Sequence, residues 1–240
     1  MVLMAYQYHF RFDVAGMKRT TFFITGTDTG VGKTVLTALL TRHLRERGVN
    51  AAALKPICSG GRDDARALRA AMNAALTSDE INPWHFRAPL APLLAARRER
   101  KQVKLADVLA HVRTIQKRFD VMLVEGAGGL LSPLGGNFDS RDLIAALRAT
   151  PMVVCRNRLG VVNQVLLTLA ALPRSASCCA RVVLMSPAKP DASTSTNVSL
   201  LAEFLDAKRI FCLPWLGGRF DPEKVLKDSR VRRTFRVLAK

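Results

Sequence analysis

The chain has 240 residues, 49% of them hydrophobic, with 37 Lys and Arg against 19 Asp and Glu for a formal net charge of +18. That excludes an intrinsically disordered chain and allows one sizeable domain with a sheet buried on both faces. The apolar runs are too short or too interrupted to span a bilayer, and the basic residues are dispersed with no aromatic residues interleaved, which disfavours a nucleic-acid stacking surface.

The first segment, "MVLMAYQYHFRFDVAG", carries Arg11 and Asp13 and has no continuous apolar region. It reads as a disordered extension over residues 1–16 rather than a secretory signal, ahead of one domain over residues 17–240. Strand-like runs fall at residues 20–25, 51–55, 121–125, 152–155, 182–185 and 210–213. Helical patterns lie between them, with Val35, Leu36, Leu39, Leu40 and Leu44 on one face, and later Leu105, Val108, Leu109, Val112 and Ile115. This alternation predicts an α/β fold, a single-domain mostly parallel sheet with helices on both faces. Ligands in such folds sit beyond the carboxyl ends of the strands.

After the first strand comes "GTDTGVGKT", residues 26–34. Gly30 and Gly32 let the backbone curl so that N–H groups converge on an anion, and the following helix N-terminus adds partial positive charge. Lys33 supplies a full charge to the β- and γ-phosphates, and the Thr34 hydroxyl is placed to ligate magnesium. Thr27 occupies the position of the usual first glycine. Five residues before Lys33 stands Asp28, where dimeric ATPases of the segregation type use a second lysine.

The second strand ends at Lys55, followed by Ser59 and the pair Asp63–Asp64. A lysine at that point reaches the crevice. The aspartates, taken alone, read as helix caps. In "VEGAGGLLSPL" Glu125 closes an apolar strand before Gly126, Gly128 and Gly129, where a carboxylate holds magnesium directly or through water. Residues 159–172 are apolar almost all round and so are expected to be buried, in part by a second subunit. Residues 188–196 read as a mobile surface loop. The five cysteines form no C-x-x-C pair and the four histidines show no zinc spacing, so reduced thiols in a cytoplasmic protein are expected.

Taken together, "GTDTGVGKT", "KPICSG", "NPWHF", "VEGAGGLLSPL", "LGVVNQVLLT" and "LPWL" resemble the ATP-dependent dethiobiotin synthetase family, of P-loop NTPase fold, in order over about four-fifths of the chain. The resemblance implies a homodimeric ligase of biotin biosynthesis that closes the ureido ring of dethiobiotin from 7,8-diaminononanoate, carbon dioxide and ATP. It implies Mg2+ and ATP as cofactors, with Thr34, Asp64 and Glu125 organising the metal. Lys33 and Lys55 would be the catalytic residues, Lys55 acting on the carbamate and the migrating phosphoryl group. Gly30, Val31, Gly32, Val35, Gly126, Ala127, Gly128 and Pro214 would line the nucleotide. Ser59 would touch the diamine, and Leu159, Gly160 and Asn163 of a partner subunit would lie near its carboxylate.

Four departures stand out. Where the family often carries an Asn that reads the adenine edge, this chain has Ser186–Pro187, which predicts weaker base discrimination. The short loop before Asp64 leaves Asp63 an alternative metal ligand, and Arg156 or Arg158 is a candidate partner for the substrate carboxylate. Gln164 replaces a common His. The family pattern does not call for the high basic charge, which keeps open an ATPase of the same fold that binds nucleic acid or a protein partner, and the altered base pocket keeps open an inactive relative.

Overall fold

The computed structural model describes residues 19–217 and 221–239; the extension read over residues 1–16 lies outside the described residues. In chain order the elements are β1 (Thr20–Gly26), α1 (Lys33–Glu46), β2 (Ala51–Leu54), β3 (Ile57–Ser59), α2 (Asp63–Ala71), α3 (Ser78–Ile81), β4 (Trp84–Phe86), α4 (Pro92–Arg98) and α5 (Leu105–Gln116). There follow β5 (Val121–Glu125), α6 (Ser140–Leu147), β6 (Thr150–Arg156), α7 (Val161–Ala171), α8 (Arg174–Ser177), β7 (Arg181–Met185), α9 (Ala192–Ala202), β8 (Ile210–Leu213), α10 (Pro222–Lys227) and α11 (Ser229–Leu238).

Six of the strands form one parallel sheet in the order β2-β5-β1-β6-β7-β8. All six segments read as strands from the sequence belong to it. Phe22, Phe23 and Ile24 are buried on both faces of β1, as are Leu123 and Val124 of β5. That double burial explains why these strands read as continuous apolar runs rather than alternating ones. Burying one such side chain contributes roughly 1.5–3 kcal/mol.

The chain leaves β1 toward β2 on one side and later reaches β6 on the other, so β1, flanked by β5 and β6, marks the switch point of the sheet. Register then fixes what meets there. Leu54 lies beside Val124 and Ile24 beside Glu125, which brings Lys55, one residue past β2, level with Glu125 and both next to the loop after β1.

One expectation is corrected. The segment 188–196 is a loop only in its first part. Asp191 caps α9 by accepting from the Thr194 N–H while the Thr194 side chain accepts from the Asp191 N–H, and this capping box holds a helix whose first turns are Ser and Thr. Within one chain α7 is buried on one side only. Val161, Val165 and Leu169 face the core, whereas Leu167 is 63% exposed and Leu159, just before the helix, 82% exposed. The pair β3 and β4, a small separate parallel sheet, escaped the sequence reading because each strand is three residues long. Among the described residues no helix is long and apolar enough to cross a membrane.

Candidate active site

The loop between β1 and α1 turns on Gly30 and Gly32, both left-handed at φ +69° and +105°. A Cβ on Gly32 would also stand 3.2 Å from the Met185 side chain at the end of β7. Because α1 begins at Lys33, its unpaired N–H groups open onto this loop. Lys33 is buried and its ammonium donates to the Asp28 carbonyl at 2.7 Å. Burial lowers its pKa to about 8; Glu125 opposes that shift and Lys55 reinforces it.

From here a continuous chain of polar contacts crosses the switch point. The Thr34 hydroxyl donates to Glu125 Oε1 at 2.6 Å. The same oxygen accepts from Lys55 Nζ at 2.8 Å, and Lys55 also pairs with Asp64 Oδ2. Lys55 and Glu125 are both buried. Desolvation lowers the Lys55 pKa, but Glu125 and Asp64 together outweigh it and hold the pKa above the usual lysine value. The reverse holds at Asp64. Its burial raises the carboxyl, and the Lys55 ammonium, aided by the Thr34 hydroxyl, brings it below the ordinary range.

The mount of Lys55 is as specific as its contacts. Its N–H donates to the Ile81 carbonyl, and the buried Asn82 amide donates to the carbonyls of Lys55 and Pro56 at 2.9 and 3.3 Å. Sequence reasoning missed this use of Asn82, since nothing local in "NPWHF" says that its asparagine anchors a strand end 27 residues earlier.

The oxygen-rich group suits a hard cation. Glu125 Oε2 is buried with no hydrogen-bond partner, and the Thr34 hydroxyl and the Asp64 carboxylate stand beside the other carboxylate oxygen and its lysine. Magnesium bound next to a nucleotide takes one or two carboxylates and fills the rest of its octahedron with phosphate and water, so this donor set fits it. Asp63 is turned away: it is exposed and pairs with Arg66. The structure therefore favours Asp64 over Asp63. Neither aspartate is a helix cap, because α2 starts at Asp63 and its cap position is Arg62.

After Glu125 the backbone turns through Gly126, Ala127 and Gly128. A Cβ on Gly128 (φ +70°) would overlap the Ser132 side chain, and one on Gly126 would meet Ser140 Oγ at 2.9 Å. Val31 is buried and Val35 half-buried beside the loop, and Pro214 directly follows β8. Ser59 is half-buried and donates its hydroxyl to the Leu90 carbonyl. Ser186 contacts Cys212 Sγ at 3.4 Å, with its N–H given to the Leu213 carbonyl. Leu159, Gly160 and Asn163 are exposed at the start of α7. Arg156 and Arg158 are both exposed, and Arg156 donates to the Gly30 carbonyl from Nη2 and Nε.

Comparison with known proteins places this geometry among relatives. A family model described as an AAA domain matches residues 20–219. The ATP-dependent dethiobiotin synthetase BioD of Anaeromyxobacter sp. (strain K) is 41% identical over 198 residues, which span 80% of this chain and 89% of that one. Its counterpart from Akkermansia muciniphila is 38% identical over 187 residues, 78% of this chain and 88% of that one. Among solved structures, a chain of the MinC:MinD cell division protein complex of Aquifex aeolicus superposes with a TM-score of 0.59 at 14% identity, covering 92% of this chain and 95% of that one. That last likeness is one of fold alone.

Proposed function

The chain belongs to the dethiobiotin synthetase family, and from that premise we propose that it is an ATP-dependent ligase of biotin biosynthesis that closes the ureido ring of dethiobiotin from 7,8-diaminononanoate and carbon dioxide. The observation that carries the reading is the linked set Thr34, Glu125, Lys55 and Asp64 at the mouth of the phosphate loop. Family membership favours the ligase over a nucleic-acid-directed ATPase of the same fold.

One amine of the substrate adds to carbon dioxide and loses a proton, giving a carbamate. A carbamate oxygen attacks the γ-phosphorus and ADP leaves. The second amine then attacks the carbonyl of the carbamic–phosphoric anhydride, releasing phosphate and a proton as the five-membered ring closes. The carbamate and the triphosphate repel each other, so the main obstacle is bringing two anions into line. Lys33 neutralises the β/γ end of the nucleotide, and the ammonium of Lys55 faces the oxygens that change partners. Held between two carboxylates, Lys55 keeps its proton and serves as a fixed cation rather than a base. Thr34, Asp64 and Glu125 would hold magnesium, which when bound offsets phosphate charge.

No protein nucleophile enters this scheme. Cys58, the thiol closest in sequence to Lys55, is buried and contacts the Ser59 and Gly61 carbonyls. Burial pushes its pKa up, which keeps it a thiol.

The test is direct. Purified protein with 7,8-diaminononanoate, bicarbonate and Mg-ATP is expected to form dethiobiotin, ADP and phosphate in equal amounts. Phosphate release that ignores the diamine, with no dethiobiotin, would overturn the reading.

A further inference from the structure

Arg156 is the last residue of β6, the strand on the opposite side of β1 from Glu125. Val154 lies level with Gly26, so the end of β6 runs directly beside the phosphate loop. The guanidinium uses Nη2 and Nε together on one acceptor, the Gly30 carbonyl, at 2.8 and 3.3 Å. A Cβ on Gly30 would stand 3.3 Å from Arg156 Nη2, so the glycine that supplies the left-handed turn also gives the arginine its seat.

The base of this arm is rigid. Asn157, the next residue, is buried; its N–H donates to the Met185 carbonyl at 2.9 Å and its amide to the Thr194 carbonyl at 3.0 Å. Its Oδ1 accepts from the buried Asn197 amide at 2.8 Å. Arg156 therefore projects from a pinned strand end, although its own side chain lies at the surface, in the cleft it shares with Thr27, Asp28, Thr29, Val31, Arg158 and Gln164.

A phosphate loop binds its ligand with N–H groups, so every carbonyl on its crest is a partial negative charge that must be kept from the anion. Two crest carbonyls are held by cations here, Asp28 by Lys33 and Gly30 by Arg156. Lys33 is also the residue that must turn to the phosphates, whereas Arg156 is mounted on a different strand and can keep its hold throughout.

We propose that Arg156 is a positioning residue for the nucleotide: it fixes the Gly30 peptide so that the loop is set for a triphosphate before one arrives. The proposal rests on the nucleotide-binding half of the function given above. It assigns Arg156 to the loop and not to the substrate carboxylate.

Titration calorimetry with Mg-ATP on the whole chain, alongside steady-state rates, separates the outcomes. Arg156→Met is expected to fold with an unchanged melting temperature, to bind Mg-ATP at least tenfold more weakly, and to raise the KM for ATP while kcat at saturating ATP falls less than threefold. Arg156→Lys, which keeps the charge but loses the two-pronged donor, is expected to lie between the two. The KM for the diamine should not move. ATP affinity within twofold of wild type in Arg156→Met, or a rise confined to the diamine KM, would overturn the proposal. So would a wild-type chain that binds no ATP. If the wild-type chain binds ATP but forms no dethiobiotin, the ligase reading fails, while weakened ATP binding in the variant still upholds the role of Arg156.

Discussion

Glu125 receives the Thr34 hydroxyl and the Lys55 ammonium on one oxygen and leaves the other without a partner, so the chemistry of the crevice is set by how few cations two carboxylates share. Removing Lys55 leaves Glu125 and Asp64 facing the incoming carbamate without the ammonium that pairs with both. Lys55→Ala is expected to lower the rate of dethiobiotin formation roughly 10²–10³-fold, the loss typical of an oriented charge-stabilising donor. Mg-ATP affinity should change far less, because Lys33 and the loop N–H groups stay in place. Near-normal turnover in a rate assay would refute the role of Lys55. Most of this site was legible in the sequence because each part is local: a glycine loop ahead of a helix, a lysine at one strand end, a glutamate at another. Asp64 was named by the resemblance alone and the residues left Asp63 open, since one residue of helical rotation decides which carboxylate meets Lys55 and which meets Arg66. Arg156 was visible as a basic residue beside the right helix, but its partner lies 126 positions away.

At the scale of elements, α1 carries the phosphate loop at its head and packs near its tail against α11. There His43 is buried with its ring centroid 5.6 Å from that of Phe235, and Nε2 has no hydrogen-bond partner. Burial lowers its pKa to about 4, with Arg47, Arg236 and Arg232 adding to the shift and Glu46 opposing it. An unfolded histidine takes up its proton near pH 6.5, so between about 6.5 and 4 the unfolded chain binds a proton that the folded chain does not. Stability from this group is therefore complete above pH 6.5 and is lost as pH falls through that window, by up to about 1.4 kcal/mol per pH unit. Denaturant melts at pH 7 and pH 5 should show a smaller acid loss in His43→Leu than in the wild type, and equal losses would remove His43 as the cause. The same pairing illustrates what sequence patterns capture. The six sheet strands and the apolar faces of α1 and α5 were evident because burial imposes period and length. The strands β3 and β4 are too short to show a period, and α9 is rich in Ser and Thr, so its capping box is a better signal than its apolar residues.

For the whole molecule the exposed apolar residues of α7 and α9 bear on assembly. Leu159 and Leu167 are exposed at α7, as are Leu200 of α9 and Phe204 just after it. The homodimer implied by the family resemblance would cover such side chains with a second copy, in keeping with the apolar character of residues 159–172. Light scattering is then expected to give twice the 26.4 kDa of one chain, and Leu167→Glu to shift the protein toward the single-chain mass. Dimerisation matters to the chemistry if the start of α7 reaches across to the partner's crevice, where Gly160 at its cap and Asn163 in its first turn would meet the substrate carboxylate. Mixing separates a shared site from a self-contained one. Lys55→Ala breaks the crevice, and Asn163→Asp sets a negative charge against the substrate carboxylate, so each variant alone should be nearly inactive. In a shared site a mixed dimer has one crevice with both defects and one with neither. An equimolar mixture, allowed to exchange subunits, should regain about one quarter of wild-type turnover, since half the dimers are mixed and each has one sound crevice. A mixture that contains mixed dimers yet stays inactive would mean that each crevice is built from a single chain.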